Sequence, residues 1–186
     1  MSEGIIMSAD DKQSEQKSKS ESKAGSESKD LTPAEREAWT QEVIKKYAYG
    51  SMAVALIPLP LVDLVALTGI QIKLIDRLAT FYGVPFSRER TKNIIASLAG
   101  ASVPLGLTRA VGSILKVVPL IGLSAAVVFQ SGLSAASTYA LGMIFVRHFE
   151  LGGTFLTFDT KNAKSDYDEQ IEKGKAVAEE LKRTAG

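Results

Sequence analysis

The 186-residue chain contains no cysteine, one histidine and one tryptophan. Without cysteine there are no disulfides and no thiol chemistry, and with His148 as the one imidazole a metal site built on histidine and cysteine is excluded. The sequence also lacks a phosphate-binding P-loop, a dinucleotide fingerprint and a nucleophile elbow. We therefore expect a protein that is not an enzyme and has no cofactor or metal. His148, with only Glu150 nearby in sequence, is expected to lie at the surface or cap a helix C-terminus.

Acidic residues are missing from a long central stretch. None occurs between Glu89 and Glu150, whereas the same interval carries five cations: Arg90, Lys92, Arg109, Lys116 and Arg147. Cationic side chains can extend toward anionic lipid headgroups, and acidic ones gain nothing there. The pattern fits a segment that contacts a membrane, and the alternative is a neutral protein core with a few cations at its surface.

Charge of either sign is absent from Val117 to Val146, a run of 30 residues. As a helix it would rise about 45 Å at ~1.5 Å per residue. This exceeds the roughly 30 Å hydrocarbon core of a bilayer. The run predicts either a membrane protein or a helical protein with one deeply buried central helix. Small residues four apart, such as Gly132 with Ala136, predict close helix–helix packing in both cases.

The chain divides into three regions of different composition. Residues 1–30 are rich in Ser, Lys and Glu, so we expect a disordered polar tail. Residues 31–158 are strongly apolar, and residues 159–186 are predicted to form a charged C-terminal helix. No strand-like alternation occurs. We expect an all-α fold, a compact bundle of long apolar helices interrupted by prolines and associated with a membrane.

The first helix has a clear start signal. Thr32 is a suitable N-cap, Pro33 suits the first helical position, and Glu35 completes a capping box. Trp39, Val43 and Tyr47 then follow at intervals of four. This stripe predicts docking onto the rest of the domain, and the alternative is an interfacial helix with its indole at headgroup depth.

Prolines and glycines predict the remaining helix boundaries. Pro58 and Pro60 should end one helix and let the next begin near Pro60 and run to about Tyr82. Ser87 is a candidate N-cap for a third helix, and Pro119 should open the long uncharged one. The last helix is expected at 166–183, with Ser165 as its N-cap and only light docking onto the domain.

Asp63 is the one charge between Tyr47 and Gln71. Buried charges in membrane regions are costly and usually paired, with Arg109 and Lys73 as candidate partners. A carboxylate in the first turn of a helix also satisfies free backbone N–H groups, which is the simpler interpretation. The third interpretation is that Asp63 conducts ions or protons.

Two motifs carry a resemblance to a known family. The stretch Ile57-Pro58-Leu59-Pro60-Leu61-Val62-Asp63 and the ending Phe149-Glu150-Leu151-Gly152-Gly153-Thr154 resemble the DUF697 (YcjF-like) membrane domain, and the likeness covers residues 47–158. The resemblance implies an all-helical, membrane-associated domain of unknown activity, often found beside Era-like GTPases. This chain has no GTPase domain of its own. Seven residues are candidates for structural or functional roles: Pro58, Pro60, Asp63, Arg109, Glu150, Gly152 and Gly153.

Three functions compete at this point. The first is a membrane-embedded or membrane-associated interaction module, a partner or regulator of a GTPase or a stress-related assembly. The second is a pore-forming or bilayer-remodelling protein, and the third is a soluble helical adaptor. The expected partners are the lipid bilayer, a GTPase and a second copy of the chain, but not nucleic acid. With no secretory signal at the N-terminus, and with Lys45, Lys46 and a cation-rich 73–92 connection, we expect the bacterial inner membrane with cytoplasmic tails.

Overall fold

The fold is a bundle of helices, seen in a computed structural model that describes residues 30–55, 62–101 and 121–185 together with Ser28. Every regular element within these ranges is an α-helix, which confirms the predicted fold class there. The predicted polar tail lies almost wholly outside the described residues. The helices, in chain order, are α1 (Pro33–Val54), α2 (Val62–Tyr82), α3 (Arg88–Ala101), α4 (Ile121–Glu150) and α5 (Thr160–Ala185).

The start of α1 confirms the predicted capping box. The Thr32 hydroxyl accepts a hydrogen bond from the Glu35 backbone N–H, and the Glu35 carboxylate accepts one from the Thr32 N–H at 2.9 Å. The Glu35 carboxylate also accepts a hydrogen bond from the Thr32 hydroxyl at 2.7 Å, and this bond and the one from the Thr32 N–H hold the pKa of the carboxyl below its usual range. Two N–H groups that the helix cannot satisfy internally thereby find partners.

The predicted break between the first two helices is also confirmed. α1 ends at Val54, and α2 runs from Val62 to Tyr82. Pro58 and Pro60 themselves lie outside the described residues. At the far end of α2, the Gly83 N–H donates to Thr80 O and the Val84 N–H to Ala79 O, and Gly83 has a φ of 68°. This is a Schellman stop, which glycine favours because it has no Cβ.

The core forms around α4, with α1, α2 and α5 packed against it. The long uncharged run thus forms a central helix, as one of its two interpretations predicts. Within the described residues, α3 packs mainly against α2 and α5. The fully buried large side chains include Ile44, Leu74, Ile75, Leu78, Leu98, Leu141, Phe145 and Tyr167.

The C-terminal helix departs from its prediction in two ways. α5 begins at Thr160, because the Asp159 carboxylate caps it by accepting hydrogen bonds from the N–H groups of Lys161 and Asn162. Light docking is also wrong. Gly174 is packed so closely that an added Cβ would lie 2.7 Å from the Ala136 carbonyl oxygen.

The direction of each helix follows from pairs of contacts. Gln41 reaches Met143 while Ile44 packs at Gly142, so α1 runs antiparallel to α4. Gln71 lies beside Ser137 and Tyr82 beside Glu150, so α2 runs parallel to α4. We call the end of the bundle with the α4 C-terminus the aromatic end. The opposite end, where α1 finishes and α2 and α4 begin, is called the uncharged end.

Membrane-spanning length is a separate question from burial. Among the described helices, none combines the length and the hydropathy that crossing a bilayer requires. The predicted transmembrane helix gains no support from them.

Candidate functional site

Three of the predicted site residues meet at the C-terminus of α4. The Gly152 N–H donates to Phe149 O and the Gly153 N–H to His148 O, both at 2.9 Å, and Gly152 has a φ of 77°. This is a second Schellman stop. Glu150 accepts a hydrogen bond from the Tyr82 hydroxyl at 3.0 Å. The Gly-Gly pair thus ends the helix, and Glu150 ties that end to α2.

His148 is a structural part of the same turn. Its Nε2 lies 2.9 Å from Thr154 O, and the edge of its ring meets Phe158 with the centroids 4.9 Å apart. A Cβ on Gly153 would lie 2.3 Å from that Nε2. A side chain at position 153 would therefore force the imidazole to move, and the predicted placement of His148 at the helix end is confirmed.

Aromatic side chains fill this end of the bundle. Phe145 is fully buried and contacts Phe149, Phe155 and Phe158. The chain has seven phenylalanines, and six of them belong to this cluster, together with its tryptophan. The cluster's members are Trp39, Phe81, Tyr82, Phe86, Phe145, Phe149, Phe155 and Phe158.

The pKa of Tyr82 is raised well above its usual value. Burial is the main cause, and the hydrogen bond to Glu150 and that carboxylate's charge add to it, against an opposing effect of Arg36. Tyr82 therefore remains a protonated donor at neutral pH. The Tyr82–Glu150 pair serves to hold α2 and α4 together rather than to exchange protons.

Two leucines stand out of the aromatic end. Leu151 is 81% exposed and Leu156 73% exposed. The loop that carries them is held by hydrogen bonds from the Thr154 N–H to the Thr157 hydroxyl and from the Leu156 N–H to the Thr154 hydroxyl. Two exposed apolar side chains on a fixed loop form a candidate contact surface for a protein.

A groove follows the seam between α1 and α2. It has a volume of about 670 Å³ and is lined by Trp39, Glu42, Val43, Lys46, Tyr47, Gly50, Ile70 and Arg77. The Trp39 ring stacks on Phe81 with centroids 3.8 Å apart, and the Arg77 guanidinium carbon lies 5.6 Å from the indole centroid. The docking interpretation of the Trp39 stripe is thus confirmed.

Of the remaining site predictions, the structure describes only the backbone of Asp63. Asp63 lies in the first turn of α2, the position that the simpler interpretation gave it, although its side chain is outside the described set. Arg109, like Pro58 and Pro60, lies outside the described residues. The structure therefore brings together only Glu150, Gly152 and Gly153. Among the described residues, no group of acidic residues or histidine could hold a metal ion.

Sequence reasoning missed a buried polar connection between α2, α4 and α5. The Gln71 amide donates to the hydroxyls of Ser137 and Thr138, and Ser137 shares a hydrogen bond of 2.9 Å with the Tyr167 hydroxyl. Burial raises the pKa of Tyr167. The one signal of this connection in the sequence was Gln71, a glutamine at the end of a mostly apolar run.

Comparison with known proteins gives a family and a relative. The family model described as "Domain of unknown function (DUF697)" matches residues 20–174. The chain is 34% identical over 148 residues to Magnetosome membrane protein 22 of Magnetospirillum gryphiswaldense, across 79% of this chain and 76% of the relative. No solved structure matches the chain. With the family model covering most of its length, and with the turn of residues 149–154 in place at the end of α4, the chain belongs to the DUF697 family.

Proposed function

We propose that this protein is a membrane-associated helical interaction module that works without catalysing a reaction. Its uncharged end contacts lipid, and its aromatic end holds a protein partner in the cytoplasm. The observation that carries the proposal is the separation of charge along α1, α2 and α4, whose charged residues lie mainly toward the aromatic end. A membrane selects for this separation, because apolar side chains gain by leaving water and charged ones lose by entering hydrocarbon.

Charge is sparse on α1, α2 and α4 toward the uncharged end, and the charged residues beside Phe129 belong to α5: Lys175, Glu179 and Lys182. From Ile121 to Val146, α4 has no charged residue, and from Tyr47 to Gln71 the chain carries only Asp63. Two large apolar side chains face solvent there, Val65 at 74% and Phe129 at 64% exposure. These side chains are the structure's direct candidates for lipid contact.

Helix α4 extends beyond the charged helix beside it. Lys182, in the last turns of α5, reaches Gly132, where its Nζ would lie 3.1 Å from an added Cβ. α4 begins at Ile121, about 16 Å along the helix from Gly132 at ~1.5 Å per residue, while α5 continues past Lys182 only to Ala185. Lys182 pairs with Glu179 at 2.7 Å. Because an exposed ion pair of this kind contributes little, a lysine at this depth can exchange it for an anionic headgroup.

The name of the relative supports the same conclusion. The relative from Magnetospirillum gryphiswaldense is named as a membrane protein. For the present chain we propose the bacterial cytoplasmic membrane, with both polar termini on the cytoplasmic side. The cations Lys45, Lys46, Lys73 and Lys92 support this orientation through the positive-inside rule.

Flotation with vesicles tests the lipid-facing end. We expect the full chain to float with vesicles that contain anionic lipid, and the pair Val65→Asp and Phe129→Asp to weaken binding by about 100-fold. Each side chain contributes about 1.5 kcal/mol on burial, and about 1.4 kcal/mol is a factor of ten. The matched control is Leu151→Asp with Leu156→Asp, two equally exposed apolar residues at the other end, which should bind as the wild type does.

Other outcomes of the same experiment favour the competing functions. Equal loss in both variant pairs would contradict an oriented contact. A monodisperse wild-type protein that never floats would favour the soluble adaptor, and release of a trapped dye on binding would favour the pore-forming alternative.

The proposed protein partner is an Era-like GTPase, and its contact surface is the loop with Leu151 and Leu156. We expect binding of the purified GTPase to be weakened at least tenfold by Leu151→Asp with Leu156→Asp, since each change removes apolar surface that the partner would bury and adds a charge that would have to be desolvated. The pair Val65→Asp and Phe129→Asp is here the control and should leave binding unchanged. Loss of binding in the control pair alone would contradict this assignment of the two ends.

A further inference from the structure

The groove between α1 and α2 changes in polarity along its length. Its half toward the aromatic end holds the charged side chains, with Arg77 against the face of Trp39 and with Glu42 close by in α1. Its half toward the uncharged end is formed by Tyr47, Gly50 and Ile70, none of them charged. The groove is therefore amphipathic along the same axis as the bundle.

The charged half favours an anion. Two cations, Lys46 and Arg77, line it against a single acid, Glu42. A guanidinium presents planar donors that suit phosphate, and a lysine adds a flexible positive charge. The indole of Trp39 supplies an amphipathic wall of the kind found at headgroup depth in membrane proteins.

The uncharged half has room for a hydrocarbon chain. A Cβ added to Gly50 would meet nothing within 4 Å. The whole groove, with a volume of about 670 Å³, lies within the roughly 300–1,000 Å³ of small-molecule sites. Beyond Gly50 the seam continues into the uncharged end, where Asp63 is the one charge of the adjoining 47–71 stretch.

We infer that this groove binds one anionic phospholipid, with its phosphate between Lys46 and Arg77 and an acyl chain along Tyr47, Gly50 and Ile70 toward the bilayer. The inference rests on the proposed membrane association, because the lipid enters the groove from the uncharged end. Its headgroup then lies on the side of the bundle that faces the cytoplasm.

The chain carries its own reporter for this site. Trp39 is the only tryptophan, and it lines the groove. We expect short-chain phosphatidylglycerol, added below its micelle concentration, to shift the Trp39 emission saturably. Short-chain phosphatidylcholine and inorganic phosphate should each need at least tenfold higher concentrations. An equal response to phosphate alone would overturn the lipid assignment.

Two glycine variants test whether the lipid response comes from the groove or from another part of α1 and α2. Gly50→Leu should fill the uncharged half and weaken the lipid response at least tenfold. Gly69→Leu is the matched control, since Gly69 is a helical glycine of α2 with nothing within 4 Å of an added Cβ and does not line the groove. It should respond within twofold of the wild type. Equal responses in the two variants would overturn the inference.

Removal of charge tests the other half of the groove. Lys46→Gln with Arg77→Gln should weaken the phosphatidylglycerol response at least tenfold and reduce its dependence on salt, and an unchanged response would overturn the inference. Since the lipid is soluble in this assay, the result does not depend on flotation. If the chain floats with vesicles but shows no saturable response, the proposed function stands and the lipid site is overturned. If the chain responds but never floats, the groove binds the lipid and the proposed membrane association is overturned.

Discussion

Replacement of Gly174 by leucine is expected to destabilise the bundle by at least about 3 kcal/mol. A Cβ at this position would lie 2.7 Å from the carbonyl oxygen and 2.8 Å from the Cα of Ala136. Both are backbone atoms of α4, so the clash can be relieved only by moving α5 away from its main neighbour. Overpacking a core commonly costs about 1–3 kcal/mol, and an obstacle made of backbone places this case at the upper limit or beyond it.

The control for this prediction is a glycine of the same kind in open space. Gly69 is helical, and an added Cβ meets nothing within 4 Å. Gly69→Ala should stabilise the protein by up to about 1 kcal/mol through helix propensity alone. Urea unfolding followed by far-UV circular dichroism measures both variants. Equal stability of Gly174→Leu and the wild type would show that α4 and α5 are not in backbone contact.

The second large effect is expected at the turn that ends α4. Gly153→Ala should cost about 2–3 kcal/mol, because the new Cβ would occupy the space of the His148 ring, 2.3 Å from its Nε2. The displaced ring would lose its contact with Thr154 O, and a hydrogen bond of this kind contributes about 1 kcal/mol. Its packing against Phe158 would be lost as well.

A double-mutant cycle tests whether the loss of stability in Gly153→Ala arises from the clash with the imidazole. In the His148→Ala background, Gly153→Ala should cost at least about 1.5 kcal/mol less than in the wild type, since the obstacle has been removed. Gly152→Ala provides the contrast. Its cost of about 1 kcal/mol arises from a φ of 77° and should be the same in both backgrounds. Additive effects of His148→Ala and Gly153→Ala would contradict the proposed contact.

These two contacts matter for function because they fix the two ends of the molecule. The α4–α5 contact at Gly174 sets how α4 is placed relative to α5 toward the uncharged end. The turn at Gly153 holds the loop that exposes Leu151 and Leu156. A destabilised variant at either site should therefore be checked for stability before its binding is interpreted.

Local signals in the sequence were sufficient where a short segment determines its own structure. Thr32 and Glu35 form the predicted capping box, and the helix break between Val54 and Val62 falls at the predicted proline pair. The start of α5 was misplaced because Asp159 is as good a cap as Ser165, and the polar residues that follow have no apolar periodicity to choose between them.

At the candidate site, too, the sequence identified a local motif but not the contacts that the motif makes. The ending at residues 149–154 was identified from its resemblance to a family, but its physical role depends on contacts across the bundle. Glu150 acquires its role from Tyr82, which is 68 positions away in the chain. The packing of Gly174 against Ala136 likewise has no counterpart in the sequence around either residue.

The sequence by itself determined the helical fold class, the places where most helices begin and end, and the family, because capping, proline geometry and apolar periodicity act within a few residues. Only the tertiary structure decided that α5 belongs to the core, that His148 and Gly153 share one space, and that a groove with opposite polar and apolar halves lies between α1 and α2. These features arise where residues distant in the chain meet, and their energies depend on distances of a few ångströms between elements whose separate patterns leave the packing open.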